Sequence, residues 1–165
     1  MRIWTNATSD DGAVHCLGNG RLCAYGQGPD LVQVFGPPYS SPAVLRATLA
    51  PDGPTETRSV RHPGTAVWMH QVFLAGREAG EIVDFVDAEL PCLVRRLRLS
   101  VTLRFRITLE QPVQVVDNSA RLRELGADGG RLVEVPAGRY LYHTYPFPAP
   151  IFHQVAWRGC AALAG

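Results

Sequence analysis

The aromatic and imidazole side chains Trp68, His70, Tyr140, Tyr142 and His143 are the first candidates for chemistry in this sequence. Aromatic faces stack on the C–H side of pyranose rings while imidazole groups hydrogen-bond hydroxyls, so the set suits a sugar platform. Core or interface packing is the plainer and favoured account of the same rings. Arg96, Arg98, Arg104 and Arg106 alternate with apolar residues. Such a row can hold an anion such as phosphate, but a solvated sheet face, or one docked on another domain, explains it more simply. Asp84, Asp87 and Glu89 offer carboxylates for acid–base work or for calcium, against the ordinary account of strand-edge charge and turn chemistry. Aldose ring opening needs a proton donor and a base, and His70 or His143 with Asp84 or Glu134 would supply them.

Other chemistries find no pattern. The five histidines show neither H-x-H nor H-E-x-x-H spacing, and His15 reads as a hydrogen-bonded core residue. The four cysteines (Cys16, Cys23, Cys92, Cys160) contain no C-x-x-C pair, so no metal site is expected. Ser40-Ser41 lacks the G-x-S-x-G context of a nucleophile. No catalytic residue and no cofactor can be assigned from motifs.

The elements that must position these groups are strands. No segment sustains a 3.6-residue apolar period; short runs alternate between Gly, Pro and Asp clusters. The spacing predicts strands at Leu31 to Phe35, Ala43 to Ala50, Thr57 to Arg61, Val67 to Leu74, Glu81 to Val86, Leu93 to Leu99 and Leu103 to Leu109. Further strands are expected at Val113 to Val116, Arg131 to Val135, Arg139 to Tyr145 and Phe152 to Trp157. Ser119 to Leu125 reads as one or two helical turns, and Asp128-Gly129-Gly130 as a turn. In the strands at 93–99 and 103–109 the leucines, Phe105 and Ile107 are expected inside, and Arg96, Arg98, Arg104, Arg106 and Thr108 outside. The expected fold is all-β: a large antiparallel sandwich with little or no helix, formed by residues 1–165 as a single domain.

The chain is organised around the hairpin at Val14 to Tyr25. Asn19-Gly20 is the preferred dipeptide of a two-residue type I′ turn. That turn would pair Cys16 with Cys23 and Leu17 with Leu22, with Val14, Cys16, Cys23 and Tyr25 on one face. His15, Leu17, Leu22 and Ala24 would share the other, and both faces are apolar enough to be covered. Cys16 and Cys23 could in principle join across the hairpin, but a reducing compartment and the poor geometry of directly opposed strand positions make buried free thiols the expectation.

Composition excludes several classes. A net charge of +1 is unlike a nucleic-acid surface, and no apolar run is long enough for a membrane helix. No signal peptide is recognisable, which makes the cytoplasm the default. All 16 basic residues are arginine, as codon bias in a GC-rich genome would produce.

Leu17-Gly18-Asn19-Gly20-Arg21-Leu22, followed by Ala24-Tyr25-Gly26, resembles the opening of a known domain. That domain is the N-terminal β-sandwich of glycoside hydrolases and disaccharide phosphorylases with an (α/α)6-barrel catalytic domain. The resemblance implies a galactose-mutarotase-like supersandwich that packs on and orients a helical catalytic domain. Asn19, Arg21, Arg96, Arg98, Arg104 and Arg106 would then be interface candidates, and an oligosaccharide a further partner. The family's catalytic acid lies in the barrel, so none carries over to this chain. The family domain is also usually longer than 165 residues, which implies a shortened version, an excised piece or a stand-alone relative. A stand-alone sugar-binding module or a mutarotase-like epimerase is the alternative.

Overall fold

The computed structural model describes residues 14–36, 45–110, 113–116, 122–125, 128–145 and 154–159. In chain order the strands are β1 (Val14–Gly18), β2 (Cys23–Gln27), β3 (Asp30–Phe35), β4 (Leu45–Leu49), β5 (Thr55–Arg61), β6 (Trp68–Leu74) and β7 (Arg77–Val86). They continue with β8 (Leu93–Leu99), β9 (Leu103–Leu109), β10 (Val113–Val116), β11 (Leu122–Leu125), β12 (Asp128–Val135), β13 (Gly138–Tyr145) and β14 (Gln154–Gly159). The protein is all-β, and no helix long and apolar enough to cross a membrane occurs among the described residues.

Two sheets hold these strands. The smaller has six, in the order β1-β2-β3-β4-β9-β12, and the larger has eight, in the order β11-β10-β14-β13-β8-β7-β6-β5. Every pairing is antiparallel except that of β10 with β14. β8 and β9 follow one another in sequence but belong to different sheets, so the Ser100–Thr102 connection crosses the sandwich.

The core between the sheets follows from period-2 alternation. At one end Leu17, Leu22, Ala24, Leu31 and Val34 of the small sheet pack with Leu93 of the large one. At the other end Val72, Ile82, Leu97 and Leu99 meet Leu103, Phe105 and Val135. Of the apolar residues expected inside on β8 and β9, only Ile107 is half-exposed; the rest are buried. Arg96, Arg98 and Arg106 are exposed. Val60, Met69 and Val83 make a third, small cluster on the opposite face of the large sheet.

The opening hairpin differs from expectation. Gly18 pairs with Cys23 and Cys16 with Tyr25, so the loop has four residues, Asn19 to Leu22, rather than two. Only Gly20 there has a left-handed backbone, with φ of 81°. The cause is Asn19, whose Oδ1 accepts from Arg21 N at 2.9 Å and Leu22 N at 3.1 Å. This Asx-type turn replaces the backbone turn that Asn-Gly favours. Lengthening the loop by two residues leaves the parity of both strands intact. His15, Leu17, Leu22 and Ala24 are therefore buried as expected. The other face is open, with Val14 70% and Tyr25 39% exposed, so it is not covered among the described residues.

The two-residue turn occurs instead between β6 and β7. Ala75 and Gly76 have φ of 48° and 77° and close the Leu74–Arg77 pair. Strand β7 consequently starts at Arg77, and the loop expected to run to Gly80 does not form. An L-residue in the left-handed region carries a cost of about 1–2 kcal/mol that glycine and, in part, asparagine avoid. Ala75→Asn should therefore raise stability by about 0.5–1 kcal/mol, read as a thermal midpoint roughly 1–4 °C higher. An unchanged or lower midpoint would count against this turn geometry.

Two further expectations are corrected. Leu122–Leu125 is a strand paired with β10 rather than helix, because the Val113–Val116 edge offers a hydrogen-bonding partner. Asp128-Gly129-Gly130 belongs to β12, where a register shift between Asp128 and Arg131 absorbs the glycines as a bulge. Residues 119–121, which would begin the expected helix, and Cys160 lie outside the described residues.

Candidate functional site

The polar chemistry of the chain converges between the sheets. On the inner face of the large sheet, β5, β6, β7 and β8 contribute Ser59, His70, Asp84 and Arg95, all buried. Ser59 faces His70 in register, and Trp68, Asp84 and Arg95 form the neighbouring row. A central strand pair thus brings a carboxylate and a guanidinium side by side where alternation calls for apolar residues.

Arg95 clamps Asp84 with two hydrogen bonds, Nε to Oδ1 at 2.8 Å and Nη2 to Oδ2 at 2.7 Å. The same Nη2 donates to the carbonyl of Pro29 at 2.7 Å. Arg95 therefore ties the β2–β3 turn of the small sheet to the large sheet. Burial alone would raise the pKa of Asp84. The charge and hydrogen bonds of Arg95, helped by His70, outweigh it and hold the carboxyl well below the usual range. The bidentate geometry is what makes so buried an ion pair tolerable.

His70 shares a 2.8 Å hydrogen bond between Nδ1 and Ser59 Oγ, and its Nε2 lies 3.6 Å from Asp84 Oδ2. The second distance is too long for a hydrogen bond. A carboxylate beside Nε2 favours the tautomer with its N–H on that side, in which Nδ1 accepts from Ser59 Oγ. His15, from the edge of the small sheet, lies between the layers. Its ring stacks on Trp68 at 4.3 Å and on His70 at 5.3 Å between centroids. Gly26 makes this possible: a Cβ there would sit 2.4 Å from His15 Nε2.

Asp30, beside the Pro29 carbonyl, accepts a hydrogen bond from Leu49 N at 2.7 Å. Burial raises its pKa, only partly opposed by that hydrogen bond and by Arg95 and His70. A carboxylate with a raised pKa costs stability at neutral pH, and the cost disappears as pH falls below its unfolded value near 4. Asp30→Asn, which keeps the acceptor for Leu49, should stabilise the fold at pH 7 and leave it unchanged at pH 3. Denaturant melts at the two pH values check this, and an equal effect at both would refute it.

Ser59, His70 and Asp84 are the residue types of a serine-nucleophile triad. Ser59 is only 2% exposed, His70 and Asp84 are fully buried, and the carboxylate is committed to Arg95. So buried a serine does not present the exposed nucleophile that acyl transfer requires, and the bond from this row to the small sheet is the one Arg95 donates to the Pro29 carbonyl.

The sugar-platform candidates are distributed as follows. Trp68 and His70 belong to the interlayer stack. Tyr140 and Tyr142 stack in parallel with centroids 6.3 Å apart, and Tyr142 is buried. Burial, then the neighbouring Tyr140, pushes the Tyr142 hydroxyl's pKa upward. His143 stands on β13 opposite Val94, and its side chain lies outside the described residues. Glu134 is on the small sheet, bound to Arg104 at 2.8 Å and far from the histidines in topology.

The interface candidates do not form one surface. Arg96 and Arg98 lie on the outer face of the large sheet, Arg104 and Arg106 on that of the small sheet. Arg96 binds Glu81 at 3.2 Å, and Arg104 bridges Asp52 and Glu134. Asn19 donates to the carbonyls of Asp87 at 2.8 Å and Leu90 at 2.7 Å, and Arg21 to that of Glu89 at 3.0 Å. Both residues bind the β7–β8 loop of their own domain. Asp87 in turn accepts from Glu89 N and Leu90 N, which lowers its pKa and makes it a turn residue.

Sequence reasoning missed Ser59, Arg95 and Asp30. For Arg95 the signal was present, since Leu93-x-Arg95-x-Leu97-x-Leu99 puts a charge in an inward slot. No group of three metal-ligating side chains occurs among the described residues. The chain matches no family model, no curated protein and no solved structure.

Proposed function

We propose that this chain is a non-catalytic β-sandwich domain of a carbohydrate-active enzyme, a glycosidase or glycoside phosphorylase, which packs on and orients a helical catalytic domain. The observation that carries the non-catalytic part is the sealing of Ser59, His70 and Asp84 between the sheets, with the carboxylate bound to Arg95. The carbohydrate assignment rests on the resemblance of the Leu17–Leu22 hairpin.

A docking role is supported by charge on the outer face of the large sheet. Arg98 faces Arg139 directly across β8 and β13, and both are exposed. Like charges opposed in this way repel unless an acidic group lies over them. Glu81 stands opposite Arg98 on β7, but its carboxylate is bound to Arg96, and among the described residues no ion pair reaches Arg98 or Arg139. An acidic surface on the catalytic domain meets that requirement.

The test uses the isolated chain in glycosidase, phosphorolysis and mutarotation assays, with calorimetric titration of maltose, trehalose and fucosylated sugars. Rates equal to buffer and no heat at millimolar sugar are expected. Robust turnover would overturn the reading, and heat without turnover would replace it with a sugar-binding module. Arg98→Glu with Arg139→Glu should weaken association with a helical catalytic domain while leaving the melting temperature of the isolated chain nearly unchanged.

A further inference from the structure

The register of the opening hairpin places two thiols together on its open face. Cys16 pairs with Tyr25 and Cys23 with Gly18, so the cysteines are diagonal rather than directly opposed. Their Sγ atoms are 3.5 Å apart, Cys16 is exposed and Cys23 half-exposed. A disulfide needs about 2.0 Å between sulfurs, so rotation of two side chains with a small backbone adjustment closes the gap. Two features make that adjustment easy. Among the described residues β1 is an edge strand, paired on one side with β2. Gly18, opposite Cys23, places no side chain beside the sulfur.

We propose that Cys16 and Cys23 are a dithiol modification site, oxidised to a cross-strand disulfide by low-molecular-weight disulfides of the glutathione class. One thiolate attacks a sulfur of oxidised glutathione, forming a mixed disulfide and releasing one glutathione thiolate. The second protein thiolate attacks the protein-side sulfur of that mixed disulfide, breaks its S–S bond and releases the second glutathione. The protein loses two electrons and two protons, and one oxidised glutathione becomes two reduced ones. The driving feature is proximity rather than thiolate activation. Burial, followed by the hydrogen bond and charge of Cys23, raises the pKa of Cys16. Cys92 offers no competing thiol, being buried beneath the start of β8.

Oxidation of the native protein with oxidised glutathione at pH 8, followed by intact mass and tryptic mapping, tests the site. Trypsin cuts after Arg21, between the two cysteines, so the crosslink joins two otherwise separate peptides. The expected product is a monomer lighter by two hydrogens, with the Cys16 and Cys23 peptides joined and at least a tenfold excess over glutathione adducts. Cys16→Ser and Cys23→Ser should each stop at a mixed disulfide on the remaining hairpin thiol. The proposal is overturned if the wild-type chain also stops at adducts, if the link forms between two chains, or if neither hairpin thiol reacts.

Discussion

Arg95→Met is expected to destabilise the domain by about 3–5 kcal/mol, because it leaves the carboxylate of Asp84 buried without its counter-ion. At this chain length that corresponds to a fall of roughly 10 °C or more in the thermal midpoint. The same substitution removes the donor to the Pro29 carbonyl, so the β2–β3 turn also loses its tie to the large sheet. Asp84→Leu combined with Arg95→Met should recover much of the loss, since well-packed apolar groups often replace a buried ion pair at little net cost. Urea unfolding of the wild type, both single variants and the double variant measures the coupling. Additive losses would show that the pair acts independently.

The pH dependence gives a second reading of the same pair. In the wild type Asp84 has a lowered pKa, so its stabilisation is present above the unfolded value near 4. It is lost only as pH falls through the depressed folded value, and this group contributes no slope between pH 5 and 8. In Arg95→Met the main lowering influence is gone and burial raises the carboxyl's pKa instead. That variant should therefore be less destabilised, relative to wild type, at pH 5 than at pH 8. A constant difference would mean that Asp84 does not stay buried.

The next largest effect is expected at Asn19. Its side chain accepts from Arg21 N and Leu22 N and donates to the Asp87 and Leu90 carbonyls. It thus fixes its own loop and fastens that loop to the β7–β8 connection. At about 0.5–1.5 kcal/mol for each hydrogen bond, Asn19→Ala should cost about 2–4 kcal/mol. Asn19→Asp keeps the two acceptor roles, loses both donated bonds and puts a carboxylate against two carbonyl oxygens. It should be at least as harmful, and partly relieved below pH 4 where the carboxyl protonates. Thermal melts at pH 7 and pH 3.5 separate the two variants. Near-neutral Asn19→Ala would show that the loop is held by its backbone alone.

These residues also show which parts of the fold were legible in the sequence. β8 and β9 were legible in their ends and facing because each alternates from a leucine to a leucine, broken on β8 only by Arg95 in an inward slot. The inward face of the opening hairpin was equally readable, since a two-residue change of loop length preserves parity. The loop itself was not, because local preference of Asn-Gly for a two-residue turn competes with contacts to residues 87 and 90, nearly seventy positions away. The converse happened at Ala75-Gly76, where a tight turn forms on an unfavourable residue because the flanking β6 and β7 pair along their length. The polar site failed for a similar reason. Asp84 carries no mark in its own strand of whether its partner is water or a guanidinium, and only the pairing of β7 with β8 supplies Arg95.

The parallel pairing of β14 with β10 bears on how the chain is assembled during synthesis. In the large sheet β14 lies between β10 and β13, so the β10–β11 hairpin is joined to the remaining strands of that sheet only through it. About 40 residues separate the start of β10 from that of β14. At about 5–20 residues per second, the hairpin leaves the ribosome some 2–8 s before the strand that attaches it. Through that interval β10, joined late in it by the open edge of β13, presents unpaired backbone to other nascent chains. The last described strand is therefore the closing piece of the large sheet, and slow translation upstream of it lengthens the window for misassembly.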